Sequence, residues 1–151
     1  MLAATALTIF LAEILLAHDS SKNVQLAIGV INDTHAFDGA GCYIQLPDDY
    51  RRHTSQYIFV SDYGRTALVN LSGRDVPLVW LSGTEAKVEH KGDRSRFRFA
   101  GDGVKVSVDY TVTQVCAPED EKCEATAYDA ILTVNKGLLK SKVVAKAICG
   151  S

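Results

Sequence analysis

The chain has no excess of charge of either sign: 16 Lys and Arg stand against 18 Asp and Glu, a formal net charge of −2. A charge that small sets up no field to draw nucleic acid or an anionic membrane, so no nucleic-acid partner is expected. Motifs of catalysis are missing too. There is no G-x-S-x-G elbow and no phosphate-cradling glycine loop, and no C-x-x-C pair marks a zinc site or redox dithiol. No cofactor and no metal is therefore expected. No apolar run reaches the ~20 residues of a membrane span, so the mature protein should have none. Helical periodicity is almost absent after the first residues, as are repeats, low-complexity tracts and linkers. βαβ architectures and multidomain readings lose their support with them.

What is present begins with Met1 to Ala17, a short apolar stretch ending in a small residue and followed by His18-Asp-Ser-Ser-Lys22. That layout is signal-like: an N-terminal hydrophobic helix over residues 1–17, then a single domain over 18–151. An amphipathic helix packed on the domain is the alternative, since Glu13 interrupts the run and no basic residue precedes it. Removing the leader leaves about 130 residues, enough for one domain with a real core.

The chain has 4 cysteines, Cys42, Cys116, Cys123 and Cys149. An even set without metal spacing reads as disulfides, hence a periplasmic or extracellular location. Cys116 and Cys123 bracket a polar loop with Pro118, at the tip of an expected hairpin, and pair there. Subtraction leaves Cys42 with Cys149, tying the start of the folded region to its end.

Period-two alternation dominates the rest. Val104, Val106, Val108, Tyr110 and Val112 fall on one face, opposite Lys105, Ser107, Asp109 and Thr111. Thr126, Tyr128, Ala130, Leu132 and Val134 repeat the pattern, giving a long hairpin. Shorter strands are expected over Val24–Ile31, Tyr57–Val60, Thr66–Leu71, Asp75–Leu81, Arg94–Phe99 and Lys140–Cys149. Ser72-Gly73 and Ala100-Gly-Asp-Gly103 carry turn chemistry. Pro77 cannot donate to a ladder, so its strand should be an edge or be bulged there. The fold class is all-β: a small antiparallel barrel or sandwich of about eight to ten strands.

Candidate chemistry is sparse. None of the 4 histidines is spaced from another as a metal ligand would be. Asp48-Asp49-Tyr-Arg-Arg-His53 and the group Asp33, His35 and Asp38 concentrate polar groups. Paired carboxylates do acid/base work only if their surroundings push their pKa values apart. A small hydrolase or metal-dependent enzyme would have to use Asp33, His35, Asp48 or His53.

From Cys42 to Asp93 the order of features resembles the membrane-bound and periplasmic inhibitors of C-type lysozyme. The shared order is Cys42, Tyr57-Ile-Phe-Val-Ser-Asp62, Ala67-Leu-Val-Asn-Leu-Ser-Gly73, Val76 and Leu78, a Ser82-Gly83 pair and a Lys91-Gly-Asp93 turn. The resemblance implies an eight-stranded antiparallel barrel. In that family a loop serine and a loop lysine enter the lysozyme cleft; mapped here they are Ser82 and Lys91. The expectation is an exported, non-catalytic binding module with a protein partner, lysozyme in its sharpest version, or an unidentified envelope ligand. The alternatives are the enzyme just described and an envelope structural protein.

Overall fold

In the computed structural model, residues 26–33, 35, 39–62, 65–84, 90–116 and 123–150 are described. The signal-like segment 1–17 lies outside them. Among the described residues, nine strands and one short helix follow in order: β1 (Ile28–Gly29), β2 (Gly41–Gln45), α1 (Pro47–Arg51), β3 (Tyr57–Asp62), β4 (Thr66–Leu71), β5 (Arg74–Gly83), β6 (Arg94–Gly101), β7 (Val104–Gln114), β8 (Ala125–Lys136) and β9 (Leu139–Gly150).

The alternation of the long hairpin is realised except at Thr126, which is half-buried. Val104, Val106, Val108, Tyr110 and Val112 of β7 are buried, and so are Tyr128, Ala130, Leu132 and Val134 of β8. The two strands pair in register, Val108 opposite Leu132 and Val106 opposite Val134, so both apolar rows face the same core. Successive side chains on a strand point to opposite faces, so this register fixes which residues look inward.

Each strand from β2 to β8 pairs antiparallel with the next, and β9 returns to pair with β2. The choice between barrel and sandwich resolves as a closed eight-stranded up-and-down barrel with β1 as an extra strand. Closure leaves no barrel strand with a free edge. Two hairpins turn on dipeptides with both residues at positive φ, Ser72-Gly73 (53° and 86°) and Asp102-Gly103 (49° and 71°). These are type I′ turns, whose twist matches that of the flanking strands.

Pro77 corrects one expectation. Its strand is not an edge, and the β5 bulge falls between Trp80 and Ser82. Pro77 is accommodated because the β5–β6 ladder starts only at Val79, so at Pro77 the ladder runs to β4 alone, opposite Leu68. The structure adds an element within the polar stretch Asp48–His53, for which no helix is expected from the sequence. Pro47 at the first turn and Asp48 and Asp49 beside it start the one-turn α1; proline tolerates that position, and acids favour a helix N-terminus.

The barrel end carrying α1 is sealed. Leu26 joins the core cluster, β1 pairs with the last residues of β4, and the Ile31 N–H donates to the Tyr57 carbonyl (2.8 Å). Asp75 clamps this segment. Its carboxylate accepts from the backbone N–H groups of Asn32 (2.9 Å) and Asp33 (3.0 Å) and from Asn70 Nδ2 (2.7 Å). Burial raises the Asp75 pKa, but the hydrogen bonds from Asp33, Asn70 and Asn32 outweigh it and hold the carboxyl below its usual range.

Both disulfides form as expected, and no cysteine among the described residues is free. Cys116–Cys123 spans 7 residues at the tip of the β7–β8 hairpin. Cys42–Cys149 spans 107 residues and joins direct partners on β2 and β9, with Cα atoms 4.1 Å apart. It therefore staples the seam where the barrel closes.

Candidate functional site

Among the described residues nothing closes the opposite end of the barrel. A cavity of about 260 Å³ is lined there by Cys42, Ser61, Trp80, Gly83, Phe97, Phe99 and Tyr110, with Asp62 and Arg65 at its rim. The register explains why these residues converge. Phe59 and Phe99 are inward residues of β3 and β6, and Trp80 lies opposite Phe99 and so points in. The bulge places an extra residue, Leu81, on β5, which is 53% exposed. Past it, Ser82 pairs with Arg98 and Gly83 with Phe97, so Gly83 faces the cavity and Ser82 faces out. A bulge re-aims the side chains that follow it, and here it sets the last residues of the lip.

Gly83 leaves room for two rings. A Cβ there would lie 2.5 Å from Phe97 Cδ1 and 3.2 Å from Trp80 Nε1. The aromatic lining continues inward edge to face: Phe97 on Tyr110 at 5.9 Å, Tyr110 on Tyr128 and Phe59 on Phe99 both at 5.4 Å between centroids. Such tilted pairs are favoured by the ring quadrupoles.

The rim is ordered by Asp62. Its carboxylate accepts from the Arg65 N–H (2.7 Å), the Thr66 N–H (2.8 Å) and the Thr66 hydroxyl (2.7 Å). The Arg65 carbonyl in turn accepts from the Trp80 N–H at 2.7 Å, and the Arg65 guanidinium lies 5.4 Å from the Trp80 ring centroid. A cation over the indole face holds the one tryptophan of the chain at the lip, where it remains 37% exposed. The cavity offers apolar and π surface with a carboxylate already engaged by three donors. Its lining includes no histidine, and its one cysteine is disulfide-bonded.

Ser82 and Lys91 both sit at this open end. They flank one connection, the β5–β6 hairpin, rather than two separate loops, and both are exposed. The turn carrying Lys91 is anchored: the His90 N–H donates to the Asp93 carboxylate (2.8 Å), the Gly92 N–H to the Val112 carbonyl (2.9 Å), and the Val112 N–H to the Asp93 carbonyl (2.9 Å).

The residues of the enzyme reading lie at the sealed end. The Asp33 carboxylate accepts from the His35 N–H (3.1 Å), Asp48 pairs with Arg51 on α1, and His53 stands exposed just after the helix at φ 53°. No group of three or more His, Cys, Asp or Glu suited to a metal occurs among the described residues. Asp38 lies outside them. Sequence reasoning missed the cavity: Tyr110 falls on an apolar strand face, and Trp80, Phe97 and Phe99 fall within expected strands with no functional reading. The signal that could have found it is Gly83, a glycine three residues after the tryptophan on a strand facing two phenylalanines. Compared with protein-family models, curated proteins and solved structures, the chain matches none.

Proposed function

We propose that the protein is an exported, non-catalytic binding module that engages a protein partner through the open end of its barrel. The observation that carries this reading is the aromatic cavity. At about 260 Å³ it falls below the roughly 300–1,000 Å³ of small-molecule sites, and an inserted partner side chain fits it better than a cofactor. The two disulfides support an oxidising compartment, periplasmic or extracellular. The particular partner implied by the family resemblance is a C-type lysozyme, with Lys91 reaching an acidic cleft and Ser82 adding a hydrogen bond beside it.

The test is lysozyme activity on cell walls with the purified protein in excess. Inhibition is the expected result. Lys91→Ala should weaken binding by about 2 kcal/mol or more, the scale of a buried interfacial charge contact, and Ser82→Ala by about 1 kcal/mol. Neither change should move the melting temperature much, because both side chains are exposed. No inhibition at micromolar protein removes lysozyme as the partner. The broader reading fails if Trp80→Ala leaves capture of envelope proteins by the immobilised domain unaltered.

A further inference from the structure

The net charge of −2 conceals a segregated distribution. Because β6, β7, β8 and β9 pair without interruption along their middle, their outward residues line up in rows across the sheet. One row reads Arg98, Ser107, Thr133, Lys142. The next, towards the sealed end, reads Ala100, Lys105, Asn135, Lys140, and the row on the other side reads Arg96, Asp109, Ile131, Val144. A fourth reads Arg94, Thr111, Asp129, Lys146.

The acids on this face are spent within it. Asp109 pairs with Arg96, and Asp129 pairs with Lys146. Arg94, Arg98, Lys105, Lys140 and Lys142 are exposed and have no ion-pair partner among the described residues. The face is also concave: a groove of about 890 Å³ runs over it, with Arg98, Lys142, Thr133, Lys140 and Arg94 in its lining.

We infer that this groove is a second binding surface, for an extended anionic polysaccharide, which adjoins the barrel mouth at Ser82, Gly83 and Tyr110. Three features select that occupant. Unpaired cations stand on strands ~4.8 Å apart, so Arg98 and Lys142, three strand steps apart, meet successive anionic groups of a chain rather than one ion. The Thr133 hydroxyl lies between them in the groove and suits the hydroxyl-rich stretches of a sugar chain. None of the four rows carries an outward aromatic ring, and Tyr110, the one ring in the groove's lining, is buried, so the stacking platform on which single-stranded nucleic acid relies is not offered. A concave groove also receives a chain better than it receives the plane of a membrane. The proposal does not rest on the function assigned to the mouth.

The experiment uses the whole protein and a fluorescent heparin oligosaccharide as the probe, with binding read by anisotropy at about 50 mM salt and again at about 300 mM, where screening is stronger. Binding at low salt that weakens at high salt is expected. Arg98→Glu with Lys142→Glu should weaken it at least tenfold, given about fivefold for each basic residue near an anionic surface. The milder Arg98→Gln with Lys142→Gln should fall between, with the melting temperature of both variants unchanged. Arg51→Glu with Arg74→Glu, an equal change of charge away from the groove, should leave binding intact. No binding at low salt overturns the proposal, as does equal weakening by the two charge-reversal pairs. Tighter binding of phosphatidylglycerol vesicles, inorganic phosphate or single-stranded DNA than of the oligosaccharide overturns it as well.

Discussion

Removing the seam disulfide should cost the protein far more than removing the hairpin disulfide, and the difference can be worked from their places in the chain. A cross-link stabilises mainly by restricting the unfolded state, and its contribution grows with the logarithm of the loop it closes. For the 107-residue separation of Cys42 and Cys149 this gives about 4.8 kcal/mol at 25 °C. For the 7-residue separation of Cys116 and Cys123 it gives about 2.4 kcal/mol. Domains of this size have roughly 5–15 kcal/mol in total, so the seam bond alone amounts to a large share. Alanine suits the seam: Cys149 continues the inward row of Ala145 and Ala147 on β9, and Cys42 stands directly opposite it on β2. The assay is urea unfolding of Cys42→Ala/Cys149→Ala and of Cys116→Ala/Cys123→Ala, followed by the Trp80 emission. With an m-value of about 1.7 kcal/mol/M, the midpoint should fall by about 3 M for the seam pair and about 1.4 M for the hairpin pair. Equal losses, or a larger loss from the hairpin pair, would refute the assignment of the Cys42–Cys149 bond as the long-range tie of the barrel.

Gly83→Ala should force Phe97 and Trp80 aside, costing about 1–3 kcal/mol as an overpacked site and shifting the Trp80 emission; an unchanged spectrum would contradict the packing at the lip. Asp75→Asn should destabilise by about 2 kcal/mol, because a charged acceptor of several N–H groups is lost. The Asp75 carboxyl is held below its usual range, so its contribution is present above the unfolded-state pKa and disappears as pH falls through the depressed folded value. Melting temperatures taken down to about pH 2 should therefore drop more steeply for the native protein than for Asp75→Asn; parallel curves would remove the clamp. N-terminal sequencing of exported protein should begin near His18, and an intact Met1 on cytoplasmic material would overturn the reading of the leader.

The strands were legible where exposure differs sharply between the two faces. On β7 and β8 valine and leucine alternate with lysine, serine, aspartate and threonine, and all but Ile131, which faces outward, took the side its chemistry requires. Both disulfide pairings followed from hairpin position and subtraction. The helix α1 was less visible, because a single turn shows no periodicity, although Pro47 with Asp48 and Asp49 is a helix start. The cavity was not legible as a cavity. It depends on the bulge that inserts Leu81 between Trp80 and Ser82, and a bulge is settled by pairing between strands rather than by either strand alone. The outer basic rows were hidden for the same reason: Arg98 and Lys142 are 44 positions apart in the sequence, and only the register of three ladders brings them into one line.

The barrel is a single meander, and that bears on the order in which it forms. From β2 to β9 every strand has its sequence neighbour as its partner, so each hairpin can zip up locally at little loop-closure cost. The one barrel pairing that waits for the rest of the chain is β2 with β9. The thiols of Cys116 and Cys123 meet as soon as their hairpin exists. Those of Cys42 and Cys149 meet only when the sheet has curled on itself. An oxidant pulsed early in refolding should trap the first bond alone, so the second is a chemical timestamp of closure.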